Sequence, residues 1–405
     1  MSFQQGLSGL NAAARNLEVI GNNVANANTV GFKGSRAQFA DIYANALGSG
    51  GSVGIGTNLA KVAQQFGQGN LTSTSNPLDI AINGDGFFRV SQNGTIGYSR
   101  NGQFELDKDG YMVTMSGARL TGYPADAAGN IAVGTPGDLR IDRGDLAPKL
   151  TTEALVAMNL DSRKGVLTAA GFRANDPTTY HGSTSMSVYD SLGNEHAVAL
   201  YFVKTAANTW SVFAQSDGAA VGAGAVGVLN FASDGTIDTA TTALPFALSI
   251  ATTNGSVTPL AVDLDFTGST QFGATTTVNE LVQDGYASGK ISGFNVGPDG
   301  TILARYSNGK TLAQGQVALA NFVNPQGLAP MGGNLWGETT ASGQPLVGSP
   351  ATGTMGALQG GALEESNVDL TQELVNMITA QRVYQANAQT IKTQDSVMQT
   401  LVNLR

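Results

Sequence analysis

The chain has 405 residues, 41% hydrophobic and only 13% charged, with a formal net charge of −9. Its length suits two to three domains, and its acidic balance excludes nucleic-acid binding, which needs clustered Lys and Arg to release counterions. Cysteine is absent, which excludes disulfides, thiol catalysis and Cys-zinc sites.

The N-terminal stretch MSFQQGLSGLNAAARNLEVIG has no basic n-region and no continuous apolar h-region, so it does not read as a cleaved secretory signal. No apolar run reaches the ~18 residues of a membrane span, and no membrane insertion is expected. Ser2 to about Ala27 instead predicts a helix. Phe3, Leu7, Leu10, Ala14, Leu17, Gly21 and Val24 step alternately by four and three, the seam spacing of a coiled coil. Gly6, Gly9 and Gly21 lie inside this segment, each costing ~1 kcal/mol relative to Ala. Alone in water such a helix is marginal.

Residues 28–75 read as an irregular connector. It holds a small apolar group, Phe39, Ile42 and Tyr43, and the Gly- and Ser-rich run Gly48 to Gly54. Gly50-Gly-Ser52-Val-Gly54 fits G-x-S-x-G, but a nucleophile elbow needs a strand before it and a helix after it. Here the flanks are Gly and Ser, which predict a loop.

The centre changes character. Turn dipeptides recur at Asn83-Gly84, Asn93-Gly94, Asn101-Gly102, Asp109-Gly110, Asp234-Gly235, Asp299-Gly300 and Asn308-Gly309. Short runs of β-formers lie between them, such as Gly86-Phe-Phe-Arg-Val90 and Ala197-Val-Ala-Leu-Tyr-Phe-Val203. This pattern predicts hairpins in antiparallel sheets. Residues 76–146 and 286–357 share one hairpin style and read as a single inner β domain. Residues 147–285 are richer in Ala and Thr and read as a second, outer β domain inserted into the first. Gly222-Ala-Gly224-Ala-Val-Gly227 fits G-x-G-x-x-G but precedes a strand-like run, not the helix a dinucleotide site requires. Gly309-Lys310-Thr311 resembles the end of a P-loop, yet Ala304 stands where its first Gly belongs. His181 and His196 have no Cys or tight carboxylate cluster beside them, and a zinc site needs three or four ligands. No catalytic residue, cofactor or metal is expected.

The last segment, residues 369–405 after a connecting stretch at 358–368, predicts a second and stronger helix. Leu370, Leu374, Met377, Gln381, Tyr384, Ala388, Ile391, Asp395, Met398 and Val402 repeat the steps of four and three, with no Gly or Pro between them. Asp369 is placed to cap it, with Gln372 three residues on as in a capping box. About 35 residues at ~1.5 Å each give ~50 Å, more than one compact domain needs. The expected fold class is therefore multidomain: a terminal helical coiled-coil segment and two mainly antiparallel β domains, one inserted in the other. Amphipathic helices usually belong to a globular core. The narrow heptad spacing, at both extreme ends beyond an all-β body, favours assembly between chains.

Three long motifs then carry a resemblance. The run Asn22, Asn23, Val24, Ala25, Asn26, Ala27, Asn28, Thr29, Val30, Gly31, Phe32, Lys33 resembles the N-terminal signature of the bacterial flagellar rod and hook proteins. Asn76 to Phe88 resembles their first β segment. Gly361 to Asp369, with Ser366, Asn367 and Asp369, continuing into Leu374–Ile378 and Ala380–Tyr384, resembles their C-terminal signature. The inserted middle, with Val188–Asn194 and Leu264–Gly268, is similar to that of the hook branch. The resemblance implies a subunit that polymerises with itself into a curved, flexible tube. That tube is the universal joint that transmits torque from rod to filament and encloses the export channel. It implies polymerisation residues on both end helices (Leu7, Leu10, Ala14, Leu17 and Val24; Leu370, Leu374, Met377, Tyr384, Ile391 and Met398) lining an inner tube. It implies an extracellular flagellar location reached through the flagellum's own type III export apparatus. The apolar group Phe39, Ile42 and Tyr43 suits either simple packing or docking at the export gate before assembly. Implied partners are the distal rod protein, the hook cap, the hook-length ruler and the hook–filament junction proteins. The rival readings are a distal rod protein of the same family, and a secreted β-rich adhesin or glycan-acting protein with dispensable ends.

Overall fold

The computed structural model describes residues 2–42, 54 and 56–403. It has the expected fold class: a helix at each end and a β-rich body between them. Helix α1 spans Ser2–Ala25 and helix α2 spans Leu370–Asn403. Asp369 caps α2, its Oδ1 accepting from the Thr371 and Gln372 amides at 2.9 and 3.1 Å. The reciprocal half of the capping box is not made, because the Gln372 side chain donates forward to Asn376 Oδ1 instead. Among the described residues no helix is long and apolar enough to cross a membrane.

The chain divides into two compact units. The first comprises Met1–Arg143, Ser292–Arg305 and Thr311–Arg405; the second comprises Gly144–Ile291 and Tyr306–Lys310.

In the first unit, part of the segment expected to be irregular is ordered. Strands β1 (Ser35–Ile42) and β2 (Gly56–Gln64) form an antiparallel hairpin with a bulge between Gln38 and Phe39. The hairpin lies against α1: Gln5 Nε2 donates to Gly54 O at 2.7 Å, and a Cβ on Gly56 would fall 1.9 Å from Ser8 Oγ. Packing against a helix supplies the support that a lone two-stranded hairpin lacks. Strand β3 (Leu71–Ser73) pairs with Ala362–Glu364, which brings the chain back to the root of α2.

The body of the first unit is a large, mainly antiparallel sheet running from 291–296 through 301–306, 311–317, 119–124, 87–92, 95–99 and 335–337 to 329–332. Strand alternation explains the Phe87-Phe88 pair. Phe88 joins Val90, Phe104, Met112 and Leu120 in one core, while Phe87 joins Tyr98, Phe322 and Trp336 in another. Asn93-Gly94 closes the hairpin between 87–92 and 95–99, with both residues at positive φ as its tight turn requires. Two of the predicted turns close no hairpin. The strands flanking Asn83-Gly84 and Asn101-Gly102 pair elsewhere. Gly102 is there because its Cβ position lies 1.6 Å from Ile80 O, so only glycine fits.

The second unit has two sheets over one core. The order in one is 246–250, 260–265, 153–159, 277–283; the other contains 182–189, 195–206, 209–216, 219–220 and 227–230. Phe246, Leu248 and Ile250 alternate inward with exposed Ala247 and Ser249, and meet Leu200, Phe202, Trp210 and Val212 of the other sheet. A parallel pairing of 153–155 with 263–265, continued by the parallel bridge between Asn159 and Thr270, interrupts the antiparallel pattern. The G-x-G-x-x-G run leads into the strand Gly227–Asn230, and Gly309 sits in the turn between 301–306 and 311–317.

Candidate assembly interface

The two end helices pair antiparallel. Gly6 faces Ile391, Gly9 faces Asn387, and Asn23 reaches Glu373. A Cβ on Gly9 would lie 2.7 Å from Asn387 Oδ1, and one on Gly6 would lie 3.2 Å from Ile391 Cγ1. The glycines that weaken α1 as an isolated helix thus admit α2 at close range. The buried stripe of α1 is Gly6, Ala13, Ile20 and Asn23. It lies one residue earlier than the predicted seam. Of the residues expected to polymerise, Leu10, Ala14, Leu17 and Val24 are half-buried and Leu7 is exposed, as is Phe3. On α2, Met377 and Ile391 are half-buried, while Leu370, Leu374, Tyr384 and Met398 are exposed. Val375, Ile378, Val383, Val397 and Val402 are exposed as well. A groove of about 910 Å³ runs between α1, α2 and the hairpin, with Ala13, Ile20, Phe39, Ala380 and Val383 among its walls.

The signature residues fasten the roots of these helices. Asn23 Nδ2 donates to Ser35 O and its Oδ1 accepts from Ser35 N, both at 2.8 Å. Asn26 accepts from Thr29 Oγ1, and its own amide donates to Asn22 O within the last turn. Gly31 has φ +69° and donates to Glu364 O at 2.8 Å; a Cβ there would strike the backbone of Arg100 and Asn101. Phe32 beside it is half-buried. From the other end, Asn367 accepts from Gly34 N at 2.8 Å and donates to Gln65 O and Gly67 O. Ser366 Oγ accepts from Val368 N, just before the capping Asp369.

At the centre lies a buried ion cluster. Lys33 Nζ is 2.6 Å from Glu364 Oε1, and Arg100 Nη1 is 3.2 Å from Oε2. Lys33 also donates to Gly67 O, Gly69 N donates to Glu364, and Arg100 Nη2 donates to Gly84 O. Arg100 lies over the Phe87 ring at 5.3 Å, while its Nε has no hydrogen-bond partner. Burial pushes the Lys33 and Arg100 cations below their usual pKa values, and Glu364 pulls both back up. Three segments meet on one carboxylate: the exit from α1, the β body, and the approach to α2. Glu364 and Arg100 were not singled out from the sequence. The available signal was a lysine inside the apolar Gly-Phe-Lys run, since a buried cation needs a buried acid.

Phe39 faces the groove, and Ile42, an odd number of residues along the same strand, points to the opposite face. Tyr43 lies outside the described residues, as does most of the G-x-S-x-G run. His181 Nδ1 accepts from the Lys204 amide beside Trp210. Among the described residues no group of three or more His, Cys, Asp or Glu is arranged to hold a metal ion.

The helix pair and the signature clasp carry the motifs that resemble flagellar axial proteins, and comparison with known proteins shows that class. Residues 3–33 match the family of flagella basal body rod proteins, 81–145 the flagellar hook protein FlgE/F/G D1 domain, 159–286 the flagellar basal body protein FlaE D2 domain, and 359–404 the flagellar basal body rod FlgEFG protein C-terminal region. The flagellar hook protein FlgE of Escherichia coli K12 is 45% identical over 413 residues, covering 100% of both chains. That of Borreliella burgdorferi is 32% identical over 444 residues, covering 100% of this chain and 99% of its own. The crystal structure of Helicobacter pylori flagellar hook protein FlgE2 shares the fold, with a TM-score of 0.55 at 15% identity over 71% of this chain and 99% of that one. The chain belongs to the flagellar hook protein FlgE family, as a structural subunit of the hook. Full-length matches to hook proteins decide against the distal rod and adhesin readings.

Proposed function

We propose that the chain polymerises through its two end helices into the hook tube, a curved and flexible joint that passes torque from rod to filament around an export channel. The observation that carries this is the apolar surface left on helices already paired with each other. Phe3, Leu7, Leu374, Ile378, Val397 and Met398 remain exposed. Exposed apolar stripes of this extent mark protein–protein surfaces. Leu7, Leu10, Leu17, Leu370, Leu374, Tyr384 and Met398 then meet neighbouring copies, and Gly6, Gly9, Ala13 and Ile20 keep the pair closed within one copy. The four regions serve as inner tube (1–27 and 369–405), connector (28–75 and 358–368), inner β domain (76–146 and 286–357) and outer inserted domain (147–285).

Low charge suits this role. Amide and hydroxyl groups exchange water-mediated contacts at small cost, which lets neighbouring β domains slide as the joint turns. The subunit performs no catalysis. It leaves the cell through the flagellar export apparatus, with α1, marginal as an isolated helix, unfolded during passage and gaining its order when it pairs with α2. It meets the distal rod protein, the hook cap, the length ruler and the junction proteins in turn. Phe39, on the opposite strand face from Ile42, docks at the export gate; Phe39→Ala with secretion unchanged would dispose of that role. The polymerisation reading is tested by introducing Asp at Leu374, which should leave a folded, secreted chain that builds no hook.

A further inference from the structure

At one end of the second unit a single histidine ties three loops together. His196 Nδ1 lies 2.7 Å from Asp217 Oδ2, in the turn after the strand 209–216. Its Nε2 lies 3.4 Å from Asp190 Oδ2, in the turn after 182–189. Asp190 is fully buried. Its carboxylate also accepts from the Leu192 and Asn194 amides, from Asn194 Nδ2, and at 2.5 Å from Asn254 Nδ2. Asn254 belongs to the loop between 246–250 and 260–265, which are strands of the other sheet. In that loop the Val257 amide donates to Ser191 Oγ at 2.9 Å.

The chemistry of the ring decides its state. A carboxylate only accepts hydrogen bonds, and a neutral imidazole has one donor nitrogen and one acceptor. Here both nitrogens face carboxylate oxygens, so both bonds are satisfied only by the imidazolium. Asp190 and Asp217 are the charged groups that face the ring, and Asn254 beyond them is neutral. Losing the proton turns one donor into a lone pair directed at a carboxylate, and that contact becomes repulsive.

We propose that His196 is a proton-dependent staple: as an imidazolium it holds the 190–194 turn, the 217 turn and, through Asp190, the 251–259 loop of the opposite sheet, and on deprotonation it releases them. Electrostatics agree with this geometry. The Asp217 hydrogen bond raises His196 above its ordinary value of 6.5, against burial and with help from Asp190. Burial pushes Asp190 up, but its Asn194, Asn254 and backbone donors outweigh that and hold it below the usual carboxylate range. The raised histidine contributes stability that is complete below its unfolded value and is lost as pH rises through its folded one. The depressed carboxylates contribute stability that is lost only in acid. The staple is therefore closed from mildly acid pH to beyond 6.5 and opens on the alkaline side.

The chain has two histidines, which makes the test direct. A long-range proton–nitrogen NMR spectrum of the full chain labelled with ¹⁵N-histidine, assigned with H196Q, should show His196 mostly doubly protonated at pH 6.5, its ordinary midpoint. His181, lowered by burial, should be mostly neutral there. Amide exchange at Val257, corrected for the intrinsic base-catalysed rate, should then rise about tenfold as His196 loses its proton, the loss of one charge-assisted bond. In H196Q that amide should exchange at the faster rate throughout. A His196 mostly neutral at pH 6.5 overturns the proposal. So does a protonated His196 whose titration leaves Val257 exchange unmoved.

Discussion

Lys33 and Glu364, 331 positions apart in the chain, meet at 2.6 Å with no exposed side-chain surface on either. One closes the N-terminal signature and the other precedes the C-terminal one. Their contact converts two linear motifs into a single clasp, with Arg100 as the link to the β body. The end helices grow from that clasp, so its geometry sets where α1 and α2 leave the body.

The clasp contains two cations and one acid, which ranks its mutants. Glu364→Gln strands two buried cations and should cost about 3–5 kcal/mol, the penalty for breaking a buried pair from one side. Lys33→Met leaves the Arg100–Glu364 pair neutral and should cost distinctly less. Thermal unfolding of both variants checks the order, and a Lys33→Met chain no more stable than Glu364→Gln contradicts it.

Gly31 is fixed by both conformation and space, at φ +69° with a Cβ position 2.5 Å from the Asn101 amide nitrogen. Gly31→Ala should destabilise the chain by more than ~1 kcal/mol. Gly137 has ordinary φ and open space around it, and Gly137→Ala should stay within about 0.5 kcal/mol. Denaturant midpoints of the two variants give the comparison.

Burial and the nearby Glu338 carboxylate push the Tyr98 hydroxyl up to about 12. A raised acid contributes stability that is complete below its unfolded value near 10 and is lost as pH climbs through the folded one. Absorbance titration of the tyrosines should show a step near 12 that Tyr98→Phe removes, and the alkaline unfolding of that variant should lose part of its slope between about 10 and 12. A Tyr98 that ionises with the exposed tyrosines rules this out.

Leu7→Asp and Leu374→Asp place charges on exposed helix surface. Each should change monomer stability by less than about 0.5 kcal/mol. Each should abolish polymerisation, read by sedimentation. Gly9→Val instead wedges α1 from α2 and should lower monomer stability. Equal effects of Gly9→Val and Leu7→Asp on the monomer would erase the distinction between an internal and an external helix face.

Much of this was readable from residues, and the misses share physical causes. Both helices end within two residues of expectation, because Asp369 and the heptad steps carry local signals. The Asn-Gly hairpin at residues 93–94 was legible for the same reason, whereas Gly102 marks a close approach to Ile80 that no local pattern reveals. The helix-pairing stripe shifted by one residue because heptad reading favours large apolar side chains, while close helix contact selects the smallest, Gly6, Gly9 and Ala13. The hairpin of β1 and β2 was hidden since its support is α1 rather than its own sequence. Glu364 and Arg100 lie 264 positions apart, the Asp190–Asn254 link of the His196 staple spans 64, and pairing at such distance leaves no trace in spacing.

The central claim is that the end helices build the hook. Its most direct measurement is electron microscopy of flagella from cells whose own hook protein is deleted and replaced by this chain, intact or lacking residues 2–30. The intact chain should restore curved hooks, and the shortened chain should build none although its β units remain folded. Hooks of normal form assembled from the shortened chain would contradict the account.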